Sequence, residues 1–583
     1  MRGITSSTVI LVTFLTFSFW SAAQDLSPSS TSATKADSAD SDQLLTSTAS
    51  SEAFNQVADR VVEREHLFVA QMRHMHPLVE TYIQNLKDDR DHDVALAGDE
   101  YFLGRLDTGS GTDDRSFTGQ LGSGKRFVNR FTSIYPLPLD FAKMVILDED
   151  FQKKYYDFTF VRREFLGEIR CLVIDVQPKE HVGNGRFMGR VWVEDRDYNI
   201  VRFNGTSIPH KHTSYLHFDS WRLNLRPGLW LPAYIYSEQF GLKDRTEQAP
   251  RFKAQTRLWN YDPLRLAHNN QEFTQIRINS VETVRDESES AQDASPIEAE
   301  RAWEQQAEEN GIERLQKIGL LAPPGEVDKV LQTVANNLII TNKLTLAADV
   351  RCRVLLTEPL ESFTIGRTIV VSRGLLDVLP DEASLAMVLA HELSHIALGH
   401  RLDTKLAFND GLFFPDEKTF ERLDFTRDTV EEELADQRAL ALLAHSPYKD
   451  KLSNAGLFLK ALQTRAPELK RLIRPHLGNG LAGGRTMRMS ALLNSAPRLE
   501  MRSVDQIAAL PLGGRVRLDP WSNRVELLKI KPVAPLSARE KMPFEVTPFL
   551  PYLTRLQTVA PDKVAVAPSG QPESGTVPAA SEE

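Results

Sequence analysis

The sequence predicts an α+β protein, with an antiparallel β-sheet domain followed by a mainly helical domain that carries a small edge sheet. Three observations predict it. Between about Tyr101 and Tyr261 the chain runs in strand-length segments parted by turn residues. From Leu385 to Leu398 it is apolar with no breaker until Gly399, and from Thr429 to Leu443 it opens acidic and turns apolar, as two helices do.

Taken in order, Met1-Arg2, the apolar run Val9 to Trp20 and Ser21-Ala22-Ala23 have the three parts of a secretory signal, with cleavage expected after Ala23. That run is short for a bilayer, and no later stretch is long and apolar enough to span one. The expectation is a periplasmic or secreted chain that does not span the membrane once the signal is removed. Residues 24–53 are dominated by Ser, Thr, Ala and Asp and read as a disordered linker. Residues 54–280 read as one domain, beginning with a helix from about Phe54 to Leu86 and continuing as sheet.

Within that sheet, Gly189 to Glu194 and Tyr198 to Phe203 flank Asp195-Arg196-Asp197 and form a hairpin. Tyr215 to Leu225 and Leu229 to Phe240 pair in the same way across Arg226-Pro227-Gly228. His210, His212 and His217 lie nearby without a supporting carboxylate pattern and read as strand-edge or loop residues. Residues 281–311 are an acidic connector with helical tendency. Residues 501–560 read as a small C-terminal unit, with a hairpin over Arg515 to Leu528, and residues 561–583 as a disordered tail.

A net charge of −10 gives no electrostatic case for nucleic acid. The two cysteines, Cys171 and Cys352, are too few for a disulfide framework and read as buried thiols.

The chemistry concentrates at His391-Glu392-Leu393-Ser394-His395. Positions i and i+4 share a helix face, so both imidazoles can converge on one ion, and Glu392 stands beside it, placed to take a proton from an attacking water. Among 14 histidines such a motif arises by chance on the order of a few per cent, so it needs a helix and a third ligand. Pro380-Asp381-Glu382-Ala383-Ser384 supplies a helix start. On the later helix Glu432 and Asp436 are four residues apart, so one can ligate zinc while the other accepts a hydrogen bond from a ligand histidine. Read alone, that acidic stretch suits a solvated helix start better.

The run from Glu361-Ser362-Phe363-Thr364 through Ile369-Val370-Val371, Gly374-Leu375-Leu376, the His391 to His395 motif and Gly399-His400 to Glu432-Glu433-Leu434-Ala435-Asp436 resembles the M48 metallopeptidases, zinc endopeptidases of the gluzincin type. The likeness covers roughly Ile312 to Leu493, within an expected peptidase domain at 312–500. It implies one Zn2+ per chain held by His391, His395 and Glu432, with Glu392 as general base and Asp436 as the partner of a ligand histidine. Glu433 competes for the ligand role, but the four-residue offset to Asp436 favours Glu432. Members of that family often carry a His-Pro pair and an Arg downstream. Here the order is Arg474-Pro475-His476, with Arg488 later, so His476 and Arg488 enter as oxyanion candidates, and a surface-loop histidine is an equal reading of His476. The strands from Ser362 to Val371, turning at Gly366-Arg367, suit a substrate-binding edge.

Gly167, Pro178, the Gly-Arg-Val-Trp-Val-Glu-Asp string from Gly189 and Ile200-Val201-Arg202 are similar in order to the curved sheets of LolA-like periplasmic lipoprotein carriers. That resemblance implies a concave surface for lipid, which Trp192, Trp221, Trp230 and Phe203 can line. An ordinary sheet core suits them better. Two functions follow. One is an exported zinc endopeptidase of envelope quality control acting on proteins or peptides, its sheet recruiting envelope or lipidated clients. The other is a lipid or lipoprotein carrier with a dormant peptidase domain.

Overall fold

The computed structural model describes residues 39–88, 94–106, 141, 144, 147, 150–180, 185–207, 214–243, 246–261, 295–346, 349–401, 423–474, 476–483, 486–506, 510–531, 533–541 and 543–556. The expected signal, the tail from 561, His210 and His212 lie outside them. Two compact units are present, Met1–Gln56 and Val57–Glu583.

The N-terminal helix α1 (Ala39–Met72) begins inside the stretch read as linker, so residues 39–53 are helical. Nine strands follow: β1 (Leu78–Asp88), β2 (Val94–Arg105), β3 (Tyr156–Leu166), β4 (Ile169–Pro178), β5 (Phe187–Glu194), β6 (Ile200–Ser207), β7 (Ser214–Arg226), β8 (Leu229–Lys243) and β9 (Thr246–Trp259). They form one antiparallel sheet in the order β2-β1-β9-β8-β7-β6-β5-β4-β3. Both expected hairpins are in it. The expected helix from Phe54 to Leu86, however, stops at Met72, and β1 takes its last residues. The reason is β1's position between β2 and β9. Leu78 through Ile83 are buried on both faces, so the two-residue alternation that marks a strand is missing.

Directly opposed residues share a face, and one register row runs Trp192, Arg202, Trp221, Tyr234, Arg257, Glu80. Arg202 lies between two indoles, 4.3 Å from the Trp192 ring and 4.4 Å from that of Trp221. Trp192, Trp221, Trp230 and Tyr234 belong to one continuous core with Val354, Leu389 and Leu393 of the helical part. They are therefore packing residues, and the lipid-lining role considered for them has no open surface here. On the other face Arg222, buried, makes a two-point ion pair at 2.7 Å with Glu65 of α1 and lies against the Phe68 ring.

Beyond the sheet come α2 (Pro296–Ile318), α3 (Glu326–Thr341), β10 (Arg351–Leu355), β11 (Ser362–Ile365), β12 (Thr368–Ser372), α4 (Arg373–Val378) and α5 (Glu382–Leu398). After these come α6 (Thr429–Ala444), α7 (Leu452–Arg465), α8 (Lys470–Ile473), the short strands β13 (Ala482–Gly483) and β14 (Thr486–Met487), α9 (Ser490–Ser495) and a hairpin of β15 (Val516–Leu518) and β16 (Val525–Leu527). The small sheet has the order β10-β12-β11, which leaves β11 at its edge, and Gly366 at φ 55° makes the β11–β12 turn.

Sheet and helical part meet around a buried guanidinium. Arg373, with no exposed surface, lies 2.6 Å from Glu80 of β1, 2.6 Å from Glu358 and 3.8 Å from Asp377. Asp377 in turn accepts the backbone N–H groups of Gly513, Arg515 and Val516, which ties the C-terminal hairpin to α4. From Phe544 onward the chain crosses the sheet: Gln84 hydrogen-bonds both Phe544 O and Val546 N, and Glu168 N donates to Leu553 O at 2.9 Å. Cys171 and Cys352 are free and buried, and burial pushes both thiols up to about 12. No helix among the described residues is long and apolar enough to cross a membrane.

Candidate metal centre

The helix that carries the motif is built to be buried. Asp381 caps α5 by accepting Ser384 N, Gly399 ends it in the left-handed region at φ 70°, and every residue from Ala383 to His395 is buried. In such a helix His391, Glu392 and His395 need partners. They find them on α6, capped by Asp428, and on β11.

The Nε2 atoms of His391 and His395 are 3.1 Å apart, and each is 3.4 Å from a different oxygen of Glu432. A four-coordinate ion with bonds of about 2.0–2.1 Å sets its ligand atoms about 3.3 Å apart, so this triangle fits zinc. These three residues are a group whose donor atoms can meet at one ion. Glu432 is half-buried and Glu433 exposed, which places Glu432 on the site and Glu433 off it. Asp436 Oδ1 is 2.8 Å from His391 Nδ1, and its Oδ2 accepts Met489 N at 2.7 Å. That contact directs the His391 Nδ1 proton to the carboxylate and leaves Nε2 free as a ligand. Asp436→Ala is expected to weaken zinc binding about 10–100-fold while the fold persists, measured by competition with a chromogenic chelator.

Glu392 is 1% exposed and accepts hydrogen bonds from Ser362 Oγ and Thr364 Oγ1, both at 2.7 Å, and from Arg488 Nη1 at 3.1 Å. Burial alone would raise its pKa, but Arg488, His391, His395 and the Ser362 hydroxyl outweigh it and hold the carboxyl below its usual range. Glu432 is lowered too, Arg488 and the two histidines overcoming its burial. The histidines diverge. Burial lowers His395, whereas in His391 burial and Arg488 are outweighed by Asp436, Glu432 and Glu392, leaving it raised.

Arg488, a candidate from the sequence, is buried at the centre, its Nε 2.9 Å from Glu432. His476 is half-buried, and its segment's backbone bonds lead to Glu361. Sequence reasoning missed Ser362 and Thr364 as partners of Glu392, and His400, whose Nδ1 is 2.8 Å from His395 Nδ1. The first two carried a signal, because alternate residues of a strand point to the same face.

Glu361, next to Ser362, is fully buried. Burial pushes its carboxyl up to about 7, although the Leu477, His476 and Gly478 N–H groups and the Thr357 hydroxyl pull it down. The folded chain therefore holds this proton more tightly than the unfolded one. The stabilisation is full below about 4.5 and is lost as pH rises through about 7. Glu361→Gln is expected to flatten stability between pH 5 and 8, removing up to about 3 kcal/mol of pH dependence, as read by denaturant titration at the two pH values. An unchanged pH slope would refute this.

The sequence around the motif supplies the comparison with known families. Residues 326–411 match the family model for Peptidase family M48. The M48 segment runs from the start of α3 past α5 and contains His391, Glu392 and His395, and the match supports a metallopeptidase. No curated protein matches the chain. Among solved structures, a DUF1329 family protein from Desulfovibrio piger is similar over 36% of this chain and 92% of its own, at 12% identity and a TM-score of 0.19. A chain of the Pseudomonas aeruginosa MucA/MucB complex is similar over 35% of this chain and 94% of its own, at 10% identity and a TM-score of 0.11. Likenesses at these scores carry no functional argument beside the M48 segment.

Proposed function

We propose that this protein is an exported, zinc-dependent endopeptidase of envelope protein quality control. The observation that carries the reading is the triangle of His391, His395 and Glu432 with the charged carboxylate of Glu392 one residue from its first corner. Zinc bound there would acidify a water and polarise the scissile carbonyl. Glu392 takes the water's proton and returns it to the leaving amine. Asp436 holds His391 in the ligand tautomer. Arg488, already beside Glu392 and Glu432, supplies positive charge where an oxyanion develops.

Substrate lies extended along β11, an edge strand of the small sheet whose outer side pairs with no further strand among the described residues. Part of that edge is satisfied within the chain, since Arg427 donates to Thr364 O at 3.2 Å and Glu361 bridges Gly480. A bound peptide takes over the Thr364 carbonyl as Arg427 leaves it.

The test is cleavage of an unfolded protein by the purified chain. Internal cuts that vanish with a chelator and return with zinc are expected, identified by mass spectrometry of the new termini. A zinc-loaded protein that leaves every unfolded or envelope client intact would sink the proposal. Export is tested separately by the N-terminus of the mature protein, expected at Gln24.

A further inference from the structure

The sheet domain reaches the metal centre through a continuous series of hydrogen bonds. On β2, the carboxylate of Asp99 accepts Arg471 N at 2.8 Å and Leu472 N at 2.7 Å, the backbone of α8, and also the Tyr82 hydroxyl at 3.1 Å. Leu472 O accepts Leu360 N at 2.7 Å. Immediately after α8, the backbone N–H groups of His476, Leu477 and Gly478 converge on the buried Glu361. The next residue, Asn479, accepts Arg488 Nη2 on its carbonyl at 2.6 Å and donates its side-chain amide to Arg427 O at 3.1 Å.

This segment has no slack. A Cβ added at Gly478 would stand 2.8 Å from Phe363 Cβ and 3.2 Å from Ser362 O, so its backbone lies directly on β11. The same end of the sheet holds the other flank, because Glu80 accepts Glu358 N at 2.6 Å, three residues before Glu361. Both stretches that frame β11 are thus fastened to β1 and β2.

We infer that Asp99 is a positioning residue for the hydrolytic centre, fixing α8 and the 476–480 segment so that Asn479 presents Arg488 to Glu392 and Glu432. The sheet is then a working part of the site as well as a neighbouring module, and the inference rests on the peptidase reading above. A shift of α8 moves the Asn479 carbonyl, and Arg488 loses the contact that aims it.

The experiment compares Asp99→Ala, Asp99→Asn, Arg488→Ala and the Asp99→Ala/Arg488→Ala double variant in the full-length protein. Readouts are kcat and KM on an unfolded client, zinc content, and amide hydrogen exchange of residues 476–480. Asp99→Ala is expected to lower kcat about tenfold with KM and zinc content unchanged, and to speed exchange at 476–480. Asp99→Asn keeps an acceptor for the α8 amides and is expected to recover most of the loss. In the Arg488→Ala background, removing Asp99 is expected to cost nothing further in kcat.

Losses that multiply in the double variant, or unchanged exchange at 476–480 in Asp99→Ala, would overturn the inference. If Asp99→Ala does not fold, Asp99→Ser, with one shorter acceptor, is expected to shift kcat and exchange in the same direction, and no shift overturns it. If the wild type itself cleaves nothing, the peptidase reading fails on its own, and the exchange measurement still decides whether Asp99 holds the segment.

Discussion

Replacing Glu392 by Gln is expected to reduce kcat by about 10²–10⁴ while zinc stays bound and the fold stays intact. The amide cannot take a proton from the attacking water, but it keeps the size of the carboxylate and can still accept from Ser362 or Thr364. None of the three metal-ligand candidates is touched, and Asp436 still holds His391. KM should change little, because the edge of β11 that would take the substrate is unaltered. The check is single-turnover cleavage of a quenched fluorescent peptide alongside metal analysis of the same sample. A loss of less than tenfold would mean that another group takes the proton.

The largest effect on stability is expected at Arg373. It is fully buried among Glu80, Glu358 and Asp377, which hold its charge on in spite of burial. Burial raises Glu80 to about 7, and Arg373 is the main influence pulling it down. Arg373→Met keeps most of the volume but removes the guanidinium paired with the buried Glu80 and Glu358, while Asp377 keeps Arg257 as its stronger cation. The expected cost is about 3–5 kcal/mol, read as a lower midpoint in denaturant or as failure to accumulate folded protein. Adding Glu358→Gln should recover part of it, since one uncompensated charge then disappears. Wild-type stability in the single variant would show that the cluster does not hold sheet and helical part together.

What the sequence revealed and what it concealed follow from how local each signal is. The His391 to His395 motif, the Asp381 cap and the Gly399 stop all lie within one helix, so periodicity and end chemistry sufficed to place them. Glu432 and Asp436 were legible through their own four-residue spacing together with the family resemblance. The hairpins at Asp195-Arg196-Asp197 and Arg226-Pro227-Gly228 are likewise local, carried by turn residues between strand runs.

Other features depend on which segments meet in space. Nothing near Glu80 announces that it will face Arg373, or that Asp99 will cap a short helix hundreds of residues later. The strand β1 reads as helix as far as Leu86 because a strand buried on both faces has lost the alternation that identifies it. The tryptophans of the sheet suit a core better than a lipid surface, but composition alone does not separate the two. The second partner layer, the helical part against their face, decides for the core.

The central claim is that His391, His395 and Glu432 hold one hydrolytic zinc. It is tested most directly by measuring metal content in the purified wild-type protein and in His395→Ala and Glu432→Ala, each confirmed as folded. The account predicts about one zinc per chain in the wild type and almost none in either variant. No metal in a folded wild type, or full zinc content in the variants, would contradict it.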